Sequence, residues 1–192
     1  MNRKLMKVFS LGILVVVLLT VTLFLSACGG EKMNRSAVIE TNLGTIKIEL
    51  FEKQMPITTK NFIDLAEKDF YDNTKFHRVI SRFMIQGGDP LTKENSKKYL
   101  WGTGGPGYVI DDEFATGLSN VRGTIAMANA GPDTGGSQFF INLVNNNFLD
   151  SKHPVFGKVI EGMDVVDKIA ATETDGQDKP VEDVIVKKIS IQ

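Results

Sequence analysis

Three short segments of this 192-residue chain gather the side chains able to do chemistry. Phe76-His77-Arg78-Val79-Ile80-Ser81-Arg82-Phe83-Met84-Ile85-Gln86-Gly87-Gly88-Asp89 interleaves two arginines, a glutamine and an acid with apolar residues. A second segment, from Met127 to Ile141, contains Ala128, Asn129, Ser137, Gln138 and Phe140. A third, from Phe148 to Gly157, contains Leu149, Asp150 and His153. Several reaction classes are excluded at once. Two histidines and one cysteine leave little material for a zinc centre. Ser137 with His153 and an aspartate could suggest a hydrolase, but Gly135-Gly136-Ser137-Gln138-Phe139 lacks the last glycine of a nucleophile elbow. Gly102-Thr103-Gly104-Gly105-Pro106-Gly107 has no Lys-Ser/Thr after it, so it reads as a shaped turn and not as a phosphate loop. What remains is donors and acceptors without a nucleophile, metal or cofactor. Taken alone, Arg78 and Arg82 would be surface cations and His77 a structural histidine.

The elements that must carry these segments are mostly strands. Ala37 to Thr41 and Thr45 to Phe51 are β-prone runs separated by Asn42-Leu43-Gly44, and Ile46, Ile48 and Leu50 alternate with Lys47 and Glu49. That is a hairpin with one buried face. Further short apolar runs lie at 76–80, 83–85, 124–128, 138–144 and 155–160. Pro56 opens a helix over 57–68 with Phe62, Leu65 and Ala66 on one face, and a second helix fits 163–171. The last run, 184–191, alternates imperfectly because Lys187-Lys188 interrupts it. Many short strands, frequent glycine turns and two helices predict a mainly β, closed antiparallel barrel in one domain, residues 37–192.

Composition agrees with a globular chain: 42% hydrophobic, 23% charged, formal net charge −1. So balanced a charge argues against a nucleic-acid partner, which would favour a basic surface. The N-terminus is a targeting segment. Arg3, Lys4 and Lys7 precede an apolar run from Val8 to Leu25, and no charge appears between Lys7 and Glu31. The run could also serve as an uncleaved anchor helix. Leu25-Ser26-Ala27-Cys28, followed by two glycines, resembles the bacterial lipobox, in which the cysteine accepts a lipid and becomes the new N-terminus. That resemblance implies a signal peptide over 1–27, a lipid on Cys28 and a polar tether over 28–36. The protein would then be extracytoplasmic and held to the bacterial cell membrane. Several acyl chains anchor durably where one is marginal.

In order and spacing the three segments resemble the cyclophilin family of peptidyl-prolyl cis-trans isomerases, and the resemblance runs through 37–192. It implies an eight-stranded antiparallel barrel capped by two helices, monomeric, acting on proline-containing polypeptides without a cofactor. The chemistry suits the residues. Rotation about a peptide bond crosses about 18–20 kcal/mol because resonance must be broken. At the twisted midpoint the nitrogen regains a lone pair, and a fixed cationic donor aimed there binds the transition state best. Arginine is always charged and has a planar fork of donors. The resemblance gives that role to Arg78. It places Phe83, Met84, Phe140, Leu149 and His153 around an apolar proline pocket, and Gln86 and Asn129 on the substrate backbone. Gln138 would help to position Arg78, and Ala128 would face the residue before proline.

Two departures stand out. Phe148 occupies a position where the family's best-known members carry tryptophan, so the indole donor offered to cyclosporin is lost and only weak cyclosporin binding is expected. Leu91 to Leu100 adds a polar stretch with Lys93, Glu94, Lys97 and Lys98, read as a solvated loop with a partner contact as the alternative. The rival function is a membrane-tethered peptide-binding chaperone that keeps the barrel without catalysis. Arg78, Phe83, Gln86, Phe140 and His153 standing together argue against it.

Overall fold

The computed structural model describes residues 34–192; the apolar N-terminal run, Cys28 and the first part of the tether lie outside the described residues. Every β run read from the sequence forms a strand. In chain order these are β1 (Ser36–Thr41), β2 (Thr45–Leu50), β3 (Thr74–Lys75), β4 (Arg78–Ile80), β5 (Met84–Gly87), β6 (Thr124–Met127), β7 (Phe139–Asn142), β8 (Val155–Glu161) and β9 (Ile185–Ile191). Among the described residues the two α-helices are α1 (Pro56–Ala66) and α2 (Met163–Ala170). Among the described residues no helix is long and apolar enough to cross a membrane.

The strands form one antiparallel sheet in the order β3-β9-β1-β2-β8-β6-β7-β5-β4. Its two outermost strands are neighbours in the chain, parted only by Phe76 and His77. The Phe76 N–H donates to Val184 O on the β9 side, and the His77 N–H donates to Gln86 O on the β5 side. β3 and β4 are therefore one interrupted strand whose halves pair with opposite edges. That closes the sheet into a barrel and reduces nine strand segments to the eight staves expected. Closure removes the exposed edges that an open sheet would present.

Alternation explains the inside of the barrel. Ala37, Ile39, Ile46, Ile48 and Leu50 point inward with Ile85, Ile125, Ile141 and Phe156, all without solvent exposure. Phe62 of α1 meets Tyr71, Phe139 and Phe156 at ring separations of 5.2, 5.6 and 5.3 Å, so the helix seals the barrel with aromatic area. Pro56 opens α1 without wasting an N–H, and the Glu113 carboxylate, from a distant loop, accepts the N–H groups of Ile57 and Thr58, each at 3.1 Å. The helix ends at Ala66, two residues short of the expected end. The broken alternation of the last strand has a cause too. β1 pairs Glu40 with Lys188 and Thr41 with Val186, so Lys187 is the extra residue of a bulge and both lysines face water.

The domain begins slightly before the boundary expected at 37. Ser36 and Gln192 exchange backbone hydrogen bonds of 2.9 and 2.8 Å, and the Leu50 N–H donates to Arg35 O. Arg35 also holds Glu52 through Nε and Nη2. The 91–100 stretch is more ordered than a free solvated loop. It makes two 3-10 turns, Pro90–Lys93 and Asn95–Leu100, with Thr92 buried beneath them. The Trp101 indole N–H donates to Leu91 O at 3.1 Å, and the Lys75 ammonium lies 4.8 Å from the ring centre. Residues 93–96 face solvent, as the polar sequence implied.

Candidate active site

Strand register assembles the site on the outer face of the sheet. Arg78 pairs with Gln86, Gln86 with Phe140, Phe140 with Ala126, and Ala126 with Val155. These residues form one row across five strands, and the period of two puts them opposite the barrel core. Val79, Ile85, Ile141 and Ile125, which alternate with them, belong to that core. Met84, Ala126, Phe140 and Val155 make a separate buried cluster, with Phe83, Ala128 and Leu149 packed against it. The protein thus has a second apolar patch, outside the barrel and open at one side.

Both walls of the patch are fastened. Phe83 stacks on Phe148 with ring centres 6.0 Å apart and planes at 16°, and Phe148 is 64% exposed. The His153 ring meets Phe140 edge-on at 5.4 Å, and its Nδ1 lies 3.1 Å from Met127 O. That contact fixes the ring as a wall of the pocket. The segment carrying Phe148, Leu149 and His153 is held by Asp150, whose carboxylate accepts from Ser119 Oγ and from the backbone and side-chain amides of Asn120. Desolvation works to raise the Asp150 carboxyl, but those hydrogen bonds outweigh it and leave the group below its usual value.

The polar end is a relay of amides. Asp89, with no solvent exposure, accepts the backbone N–H groups of Leu91, Gly102 and Gly104. The loop so formed turns the Gly102 and Gly104 carbonyls toward Gln138, whose Nε2 donates to them at 3.0 and 2.8 Å. This fixes Gln138 Oε1 as an acceptor, and Gln86 Nε2 donates to it at 2.9 Å. Glycine is required at 104, because a Cβ there would lie 2.1 Å from Asp89 Oδ1. A cavity of about 460 Å³ adjoins this relay, lined on its far side by Pro106, Tyr108 and Val109.

Arg78, Phe83, Met84, Gln86, Ala128, Gln138, Phe140, Phe148, Leu149 and His153 are therefore gathered around one patch. Gln138 bonds to Gln86 and to the glycine loop. Asn129 donates from Nδ2 to Lys152 O at 2.7 Å, which ties the second segment to the third. Cys28 lies outside the described residues. Asp178, which the sequence reading did not single out, has Oδ2 3.7 Å from Arg78 Nε. Nothing in Gln177-Asp178-Lys179-Pro180 marks it, since its partner is remote in the chain. His77 is buried, and burial pushes its imidazole below the usual value against the opposing pull of Asp89 and the Lys75 backbone. Among the described residues no three histidines, cysteines or acids are grouped as a metal would need.

Known proteins resemble this chain in sequence and fold. A mouse peptidyl-prolyl cis-trans isomerase-like 1 is 45% identical over 151 residues, spanning 78% of this chain and 88% of its own. A peptidyl-prolyl cis-trans isomerase of Acinetobacter baylyi is 48% identical over 167 residues, spanning 83% and 85%. The crystal structure of a cyclophilin type peptidyl-prolyl cis-trans isomerase from Cryptosporidium parvum superposes with a TM-score of 0.76 at 37% identity, over 83% of this chain and 98% of that one. The family profile described as cyclophilin type peptidyl-prolyl cis-trans isomerase/CLD matches residues 36–191. A match of that extent, carried by the same barrel, makes this chain a member of the cyclophilin-type peptidyl-prolyl cis-trans isomerase family.

Proposed function

We propose that this isomerase acts on exported polypeptides at an extracytoplasmic membrane face, tethered by lipid on Cys28, and that Arg78 is the donor to the twisted amide. The observation that carries the catalytic part is the cross-strand row. It sets Arg78 opposite Gln86 in the strand register, on the sheet face that carries the apolar hollow of Met84, Phe140 and Leu149. A proline ring seated against Phe140 is withdrawn from water, where a nearby charge acts more strongly. Its imide nitrogen then lies within reach of the guanidinium, while Gln86 Oε1 accepts a substrate N–H. The lone pair that appears on twisting is what the cation binds, so the ground states gain less.

The support for tethering and export is the basic-apolar-Leu-Ser-Ala-Cys order of the first 28 residues. The test has two arms. Turnover is measured in a coupled proline-peptide assay and as acceleration of proline-limited refolding, where Arg78→Ala should lose about 10²-fold. Wild-type activity in that variant would move the donor role elsewhere. In a bacterial host, Cys28→Ala should shift the protein out of the membrane fraction and abolish incorporation of labelled lipid. Unchanged fractionation with no label would point instead to an uncleaved anchor.

A further inference from the structure

The edge of β4 that faces away from β5 is covered by the loop 173–181. The Val79 N–H donates to Asp178 O at 2.8 Å, so the loop pairs with the strand that bears Arg78. The loop is itself rigidly closed. Thr174 and Pro180 form a bridge, and Asp175 Oδ1 accepts the N–H groups of Gln177 and Lys179. The inserted 90–101 segment buttresses it from outside: Lys179 Nζ donates to Lys98 O at 2.9 Å, and Lys98 Nζ lies 3.8 Å from Asp175. At the tip, Asp178 has φ of +62°, a left-handed conformation that glycine would adopt without steric cost. From there its carboxylate reaches the arginine of a neighbouring strand, with Oδ2 3.7 Å from Arg78 Nε.

We propose that Asp178 is a positioning residue for Arg78. It faces the Nε edge of the guanidinium and leaves the two terminal amino groups for the substrate. Arginine has a long and mobile side chain, so an unpaired, half-exposed Arg78 would sample many rotamers. The paired one is held in the subset that keeps Nε against Asp178. This inference rests on the proposed role of Arg78, and the experiment separates the two.

The full chain is compared with Asp178→Gly, Arg78→Ala and the double variant, measuring kcat and KM for a short proline peptide. Asp178→Gly relieves the backbone strain, so it should fold at least as stably as the parent while kcat falls about 3- to 10-fold with KM within twofold. Asp178→Glu should recover part of kcat. In the Arg78→Ala background the Asp178→Gly change should cost nothing more, since the group it positions is gone. Raising NaCl should move parent kcat toward that of Asp178→Gly and leave the variant flat, because this pair is half exposed and screened. A large loss in Arg78→Ala with parental kcat in Asp178→Gly overturns the inference and spares the Arg78 reading. The same fold-loss from Asp178→Gly in both backgrounds overturns it too. Parental turnover in Arg78→Ala removes the reading and the inference together.

Discussion

Phe148 lies flat against Phe83 with most of its surface in water. It keeps most of the apolar area of the tryptophan found in the family's best-known members, but it cannot donate a hydrogen bond. A buried acceptor on cyclosporin left without a partner costs about 1–3 kcal/mol. Cyclosporin should therefore bind roughly 10- to 100-fold more weakly than to a tryptophan-bearing relative, and Phe148→Trp should recover affinity while peptide turnover changes little. Inhibition and turnover measured on both proteins check this; unchanged affinity would mean that another pocket difference limits binding. At Arg78 a lysine should rescue little of the loss seen with alanine. A point charge on a flexible stem lacks the planar fork, and the 3.7 Å approach of Asp178 to Nε has no lysine counterpart.

Among the elements, the glycine loop after Asp89 has the most to lose from one change. Three backbone N–H groups converge on that single buried carboxylate, and the loop carbonyls in turn orient Gln138 and Gln86. Asp89→Ala strands these donors and should destabilise the protein by roughly 2–4 kcal/mol, read from urea midpoints. It should also raise KM, because Gln86 loses its fixed acceptor. Parental KM in a folded Asp89→Ala protein would show that the amide relay does not govern substrate binding. The 3-10 turns that precede the loop were hard to read from sequence. Their polar composition describes the faces turned to water, whereas Thr92 and Trp101, which hold them down, act through Lys75 of a distant strand and the carbonyl of Leu91.

For the molecule as a whole, His77 couples stability to acid. Burial lowers its folded-state pKa below the ordinary 6.5, with Lys179 and Arg78 adding to the effect and Asp89 opposing it. The unfolded chain therefore binds the proton more readily. The contribution is fully present above about pH 6.5 and is lost as pH falls from there toward the folded value, at up to about 1.4 kcal/mol per pH unit. His77→Gln should flatten the fall in urea midpoint between pH 7.5 and 5.5; an unchanged slope would place the acid sensitivity in other groups. The chain ends matter at this scale too. A fragment starting at Ala37 loses the Arg35–Glu52 pair and the Ser36–Gln192 exchange. It should still fold, but about 2 kcal/mol less stably than one starting at Asn34, allowing for the part exposure of the ion pair. Thermal melts of the two fragments check this.

What the sequence determined by itself was, for the most part, short in range along the chain. The strand period in Ile46-Lys47-Ile48-Glu49-Leu50, the proline that opens α1, and the three segments with their apolar and amide residues were all legible, because each signal lies within a few neighbouring positions. The tertiary structure decided what depends on bringing distant positions together. It made β3 and β4 one stave, put the bulge at Lys187, and capped α1 with Glu113. It also set Asp178 against Arg78 and sent Gln138 to Gln86 and the glycine loop. Alternation tells which residues share a face of one strand. Only the register between strands tells which of them become neighbours across the sheet, and closure of the barrel sets that register for all strands at once.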